Sequence, residues 1–233
     1  MEPFPEDWQR ALFIVAHPDD PEYGGAAAVA RWTDQGKEIA YLLVTRGEAG
    51  IDSIPPDECG PLRAEEQVRA AAEVGVDTVE FLDGHPDGVI EYGTDLRRDL
   101  AGAIRRHRPD VVLGLNYHDT FPGGALNMAD HTAVGRAVPD ACRDASNRWV
   151  FNDQLVDGLE PWAGVRLVAF AASPEPTHAA DVTATWDAGE RSLAQHERYL
   201  EAVGAPGYLR PMAEAAGEAF GCELAVAWEV IDL

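Results

Sequence analysis

The run Ile14-Val15-Ala16-His17-Pro18-Asp19-Asp20-Pro21-Glu22 sets an imidazole and two carboxylates directly behind a strongly apolar segment. Charged groups at the end of a buried strand carry a desolvation cost, which binding a cation would offset. His17 and Asp20, three apart on a turn, can converge on one metal ion and leave Asp19 free. A plainer reading has Pro18 and Asp19 shape the turn while Asp20 caps the next helix. The segment is no dinucleotide fingerprint: it lacks GxGxxG, and two acids would repel a pyrophosphate.

A second polar cluster, Asn127-Met128-Ala129-Asp130-His131, follows a later apolar run. His131 stands at the start of a helix behind Asp130, a good helix cap. His17, Asp20 and His131 together make a set of two histidines and one carboxylate. Such a set suits zinc with an open position for water, and iron or cobalt accept the same ligands. The second His-Pro-Asp, at His85 and Asp87, reads as a turn or a site wall. His107 ends a helix, where its charge complements the dipole. Asp119 and Asp153 lie in loops and read either as pocket residues or as solvated acids. Cys59, Cys142 and Cys222 are far apart and odd in number, which predicts free thiols in a reducing compartment.

Short β-branched runs alternate with helical stretches and must position these groups. Strands are predicted at 11–16, 38–45, 78–82, 110–116, 165–172 and 224–231. Helices are predicted at 24–36, from Pro61 to near Gly75, from Thr94 as cap to before Pro109, at 129–145 with a kink at Pro139, and at 184–204. Continuously apolar strands in such an alternation predict an α/β fold, a mostly parallel sheet with helices on both faces. No linker or repeat divides the chain, so one domain over 1–233 is expected. Three of the long loops follow predicted strands, where open α/β sheets place their ligands.

The 233 residues carry 41 Asp+Glu against 18 Lys+Arg, a net charge of −23. Bulk electrostatics therefore exclude nucleic acid and an anionic membrane surface as partners. No apolar run approaches the ~20 residues that span a bilayer. The first ten residues have neither a basic nor an apolar leader region, so a cytoplasmic location is expected. An oligomeric state is not legible, and a homo-oligomer stays open.

The order AHPDDPE, TRGEAG, LRAEE, FLDG, RPDVVLGLN and a late DH resembles the LmbE-like, or PIG-L, zinc-dependent de-N-acetylases over roughly residues 11–140. DVTATWDAGERSLAQH at 181–196 is similar more weakly. The resemblance implies a three-layer, Rossmann-like fold and an amide hydrolase acting on linear C–N bonds. It implies Zn2+, or another divalent transition metal, on His17, Asp20 and His131, with Asp19 as general base. Arg63 matches a substrate-contacting arginine. Glu22 and Asp130 would support the ligands from behind, and Arg46 and Glu48 lie on a loop that shapes the site. His196 is read as structural.

One departure matters: Met128 stands where the family often has a histidine that stabilises the oxyanion or protonates the leaving amine. Methionine does neither. His118, Asn127, Tyr117 and His178, all on loops expected on the site side, are candidates to replace it. The expected substrate is a small amino-sugar conjugate with an N-acyl group, acetyl as in N-acetylglucosamine. The alternatives are an amidase of a small-thiol or natural-product pathway, with Phe121 and Trp162 lining a wider pocket, or a zinc- or sugar-binding protein without catalysis.

Overall fold

The computed structural model describes residues 1–156 and 158–233. Its strands are β1 (Glu2–Pro3), β2 (Arg10–Val15), β3 (Glu38–Leu43), β4 (Thr78–Phe81), β5 (Val111–Leu115), β6 (Leu167–Ala171), β7 (His178–Asp181) and β8 (Ala225–Asp232). Its helices are α1 (Asp20–Gly24), α2 (Ala26–Asp34), α3 (Pro56–Glu73), α4 (Thr94–His107), α5 (Ala129–Ser146), α6 (Asp153–Val156), α7 (Trp186–Ala194), α8 (Glu197–Val203) and α9 (Leu209–Phe220). The eight strands form one sheet in the order β1-β7-β8-β6-β5-β2-β3-β4. Its pairs are parallel except where β8 lies antiparallel between β6 and β7. This is the mostly parallel α/β sheet that the alternation predicted.

Period-two alternation divides the core between two layers. Ala11, Phe13 and Val15 of β2 face one cluster with α2, Trp32 and Trp228. Leu12, Ile14 and Ala16 face the other, built from α4 and α5. Both faces are therefore covered. Among the described residues no helix is long and apolar enough to cross a membrane.

Several boundaries moved, each for a local reason. The helix expected at 24–36 runs Ala26–Asp34 and is separated from the preceding α1 by a backbone break at Gly25 (φ −164°, ψ 10°), where a Cβ would lie 2.8 Å from Trp228. α3 starts at Pro56, which takes the first-turn position expected for Pro61, and carries Pro61 inside at the loss of one backbone bond. The expected helix over 184–204 breaks at His196, whose imidazole turns inward to Glu22. β1, β7 and α9 have no counterpart in the expected pattern. The first two are too short to show a period, and α9 carries Pro211 and Gly217, which interrupt the helical signal in the sequence.

β2 pairs with β3 on one side and with β5 on the other. The chain winds outward through β3 and β4, then returns across β2 to build β5 and β6. The carboxyl ends of β2 and β5 therefore flank the switch point where such sheets bind ligands.

Candidate metal centre at the switch point

His17, Asp19 and Asp20 leave the end of β2, and His131 lies in the first turn of α5, reached from β5. One donor atom from each of His17, Asp20 and His131 falls within a cluster no wider than 4.8 Å, and all three residues are buried. His17 Nδ1 lies 3.6 Å from Asp20 Oδ2, and His131 Nε2 lies 3.0 Å from Asp20 Oδ1. Asp20 does not cap a helix. Its Oδ2 accepts the Ala16 and His17 N–H groups at 3.0 and 2.8 Å, which locks the carboxylate under its own turn.

The proton positions follow from the neighbours. Asn127 Nδ2 donates to the carbonyls of Asn116 and His118 at 2.8 and 2.9 Å. Its Oδ1 therefore faces His131 Nδ1 at 3.0 Å, so Nδ1 carries the hydrogen and Nε2 is a bare lone pair. That Nε2 is buried with no hydrogen-bond partner. A lone pair and a carboxylate oxygen 3.0 Å apart are both acceptors, and a cation between them resolves the conflict. On the other side His17 Nε2 is 3.1 Å from both Asp130 Oδ2 and Asp87 Oδ1, which leaves Nδ1 bare toward Asp20. Carboxylates behind a histidine in this way fix the tautomer of a metal ligand. The donor set fits a divalent transition metal.

Without that cation the electrostatics are lopsided. Burial alone would depress the His17 pKa, but hydrogen bonds to Asp130, Asp20 and Asp87 outweigh it and raise it well above the usual range. Burial would raise Asp20, yet His131 and His17 hold it well below the usual carboxylate range. Asp19 behaves oppositely. Burial, aided by the Asp20 charge, pushes it up to about 7 against the pull of Arg63.

Asp19 sits in the left-handed region at φ 83°, a strained conformation that aspartate tolerates better than most residues. Its N–H donates to Gln67 Oε1 at 2.8 Å, and its carbonyl accepts the Glu22 and Tyr23 N–H groups. Gln67 in turn donates to Glu22, which also accepts from Ser192 and pairs with His196 at 3.2 Å, wholly inside the protein. Glu22 thus lies behind Asp19 rather than behind a metal-ligand candidate. The Asp19 Oδ2 atom is buried without a hydrogen bond, 3.4 Å from Arg63 Nη2.

Arg63 is only 2% exposed. Its guanidinium lies 4.1 Å from the Tyr199 ring centre and donates to the carbonyls of Gly47 and Pro18. A Cβ at Gly47 or Gly50 would overlap it, and Gly47 also needs φ +68°. Arg46 turns to Asp83 and the Leu82 carbonyl, across Phe81, with Glu48 on its own N–H.

The candidates to replace the missing histidine disperse. Met128 is 52% exposed at the N-terminus of α5. Asn127 is spent on orienting His131. His118 Nε2 and Tyr117 Oη both bond Glu229, at 2.7 and 2.9 Å, beside Ser173. His178 starts β7, four strands from β2, with Glu2 3.9 Å away. The Phe121 ring stands 6.1 Å from that of His131. Trp162 donates to the Pro109 carbonyl, ahead of the start of β5 and away from the centre.

Asp130 is no cap either: its oxygens accept the Gly88 and Ile90 N–H groups and face His17. Asp87, Gln67 and Tyr199 were not singled out for this centre. Asp87 had a signal in the repeated His-Pro-Asp. Gln67 lies one helical turn from Arg63, hence on the same face. Tyr199 had none.

A family model described as GlcNAc-PI de-N-acetylase, PIG-L, matches residues 12–142. Diacetylchitobiose deacetylase of Thermococcus kodakarensis is 28% identical over 198 residues, 84% of this chain and 72% of that protein. A 1D-myo-inositol 2-acetamido-2-deoxy-alpha-D-glucopyranoside deacetylase of Kineococcus radiotolerans is 26% identical over 205 residues, and the match covers 74% of this chain and 54% of that longer protein. Among solved structures, N,N′-diacetylchitobiose deacetylase of Pyrococcus horikoshii superposes with TM-score 0.86 at 22% identity, covering 97% of this chain and 85% of that one. The 4-carboxy-2-hydroxymuconate hydratase of Pseudomonas putida does so at 0.78 and 20%, covering 96% of each. The fold therefore hosts more than one reaction, and function must be argued from the site.

Proposed function

Since the chain belongs to the PIG-L family, we propose that it is a metal-dependent hydrolase that removes an N-acyl group from an amino-sugar conjugate. One observation carries the reading. The bare His131 Nε2 and Asp20 Oδ1 face each other 3.0 Å apart, and the Asp19 carboxylate oxygen that accepts no hydrogen bond belongs to the neighbouring residue. His17, Asp20 and His131 would hold the ion. A divalent transition metal there supplies Lewis acidity, which makes water acidic and an amide carbonyl electrophilic.

The chain's own groups do the rest. Asp19 Oδ2 has no competing hydrogen bond, so it is free to take a proton from the attacking water. Burial makes it a better base than a solvated carboxylate, and Arg63 keeps it from being neutralised altogether. Gln67 fixes its backbone so that the carboxylate need not search for its position. As water oxygen bonds the carbonyl carbon and the C–N bond breaks, protonated Asp19 returns the proton to the leaving amine. This uses one residue for both transfers and needs no histidine at position 128. The polar loops after β3 and β4, with Thr45, Arg46, Glu48 and Asp87, suit a sugar beside the amide.

The test is acetate release from N-acetylglucosaminyl substrates by zinc-loaded protein. Asp19→Asn is expected to lose ~10²–10⁴-fold in kcat while binding zinc as the parent does. Full turnover by that variant would remove Asp19 from the reaction. The rival reading, a binding protein without catalysis, rests on Met128. It predicts one bound zinc and no acetate from any substrate.

A further inference from the structure

The metal centre divides the molecule into two chemically unlike halves. On the β3–β4 side the loops present Arg46, Glu48 and Asp83, with Thr45 and Asp87 buried beneath them. On the β6–β8 side a cavity of about 720 Å³ opens between α7, α9 and β8. Its wall includes Ala27, Leu193, Ala194, Met212, Ala216 and Val226. Charged members contribute little to its interior. The Glu22 carboxylate is taken by Gln67, Ser192 and His196, and Glu190 and Arg210 are exposed.

The cavity reaches α1, the helix that leads away from the centre. Tyr23 and Gly24 line it, and Asp20 opens the same short helix. Pro122, next to Phe121, lines it too, and Phe121 stands edge-on to His131. Glycines let its walls pack closely against the core. A Cβ on Gly24 would lie 2.8 Å from Leu115, and one on Gly189 would lie 3.0 Å from Ala27. The volume matches ligand pockets and is far larger than an acetyl methyl requires. At ~30 Å³ per water-sized group it has room for about two dozen.

We infer that this cavity holds the alkyl tail of the N-acyl group, so that the preferred substrate is an amino sugar carrying a medium- or long-chain acyl amide. The inference rests on the hydrolase reading above. A sugar has hydroxyls to satisfy and belongs on the polar side. An alkyl tail has none and belongs on the apolar side. The amide bond then crosses the centre between them. Water adds to the carbonyl carbon, the C–N bond breaks, the acid leaves as a carboxylate beside its tail, and the proton goes to the sugar amine.

The experiment uses zinc-loaded protein and glucosamine N-acylated with acetyl, butanoyl, hexanoyl, octanoyl and decanoyl chains. Binding of decanoate is followed separately by calorimetry. kcat/KM is expected to rise about fourfold per added methylene until the cavity is filled. Ala216→Phe on α9, and Ala194→Phe on the facing α7, are expected to flatten that rise and weaken decanoate binding. Both variants should leave acetyl turnover as it is. The second variant guards against misfolding of the first.

Hydrolysis that is fastest for acetyl and falls with chain length, with no decanoate binding, overturns the inference and leaves the hydrolase reading intact. A rise that both variants leave unchanged overturns it as well. Decanoate binding that both variants weaken, with no substrate cleaved, supports the cavity assignment and overturns the hydrolase reading instead.

Discussion

Asn127→Ala tests whether the histidine tautomer is set from behind. The parent side chain makes four hydrogen bonds: from His131 Nδ1–H and the Met128 N–H, and to the carbonyls of Asn116 and His118. At about 1 kcal/mol each the ceiling is ~4 kcal/mol. Water can reach the half-buried Met128 N–H and His118 carbonyl, so ~2–3 kcal/mol is the expected loss. For a chain of this size that lowers Tm by ~5–10 °C. The loss of the Nδ1 acceptor also frees the imidazole to rotate and to exchange tautomers. Removing such a partner typically weakens metal binding ~10–100-fold, or ~1.4–2.7 kcal/mol.

Competition for zinc against a chromophoric chelator reads the affinity, and thermal unfolding of metal-free protein reads the stability. Asn127→Asp separates the two effects. Its carboxylate still accepts Nδ1–H, so zinc affinity should stay within about threefold of the parent. It cannot donate to the two carbonyls, so the stability loss should persist. Wild-type zinc affinity in Asn127→Ala would refute the reasoning. So would an equal loss of zinc affinity in both variants, because the cause would then be collapse of the loop and not the orientation of one ring.

Arg63→Ala removes the buried cation beside Asp19 and orphans the Gly47 and Pro18 carbonyls, so denaturant unfolding should show a loss of ~3–5 kcal/mol. Gly25→Ala forces a methyl to within 2.8 Å of Trp228, and ~1–3 kcal/mol of destabilisation is expected in the same measurement. Glu229 supplies a pH dependence. Burial would raise its pKa, but bonds from Ser173, His118 and Tyr117 outweigh that and hold it below its ordinary 4.5. A carboxyl depressed in the folded state contributes stability above its unfolded pKa and loses it as pH falls through the folded one. Glu229→Gln should therefore flatten the fall in stability of metal-free protein below about pH 5. A parallel fall in both proteins would remove Glu229 from that role.

Much of the architecture was legible because strand and helix periods are local. The apolar runs at 11–16, 38–45 and 110–116 became β2, β3 and β5, and each places a polar cluster at its carboxyl end. That His17 and Asp20 share a turn follows from spacing three. What stayed illegible depends on partners far along the chain. Whether Asp130 caps its helix or holds His17 depends on a segment 113 residues away. Whether Asn127 meets substrate or orients His131 depends on where the carbonyls of residues 116 and 118 fall. The break at His196 is a contest between helix continuation and a buried pairing with Glu22, 174 residues away.

The sequence by itself determined the kinds of donor present, the strands that carry them and the edge of the sheet where they emerge. All of that is written in residue type and local period. Only the tertiary structure decided which nitrogen of each histidine is bare, that Asp19 Oδ2 accepts no hydrogen bond beside Arg63, and that one side of the centre is polar and the other an apolar cavity. Those properties belong to neighbours brought together by chain crossings. A side chain's hydrogen-bond partners and its dielectric surroundings are set by what folds against it, and no local pattern records them.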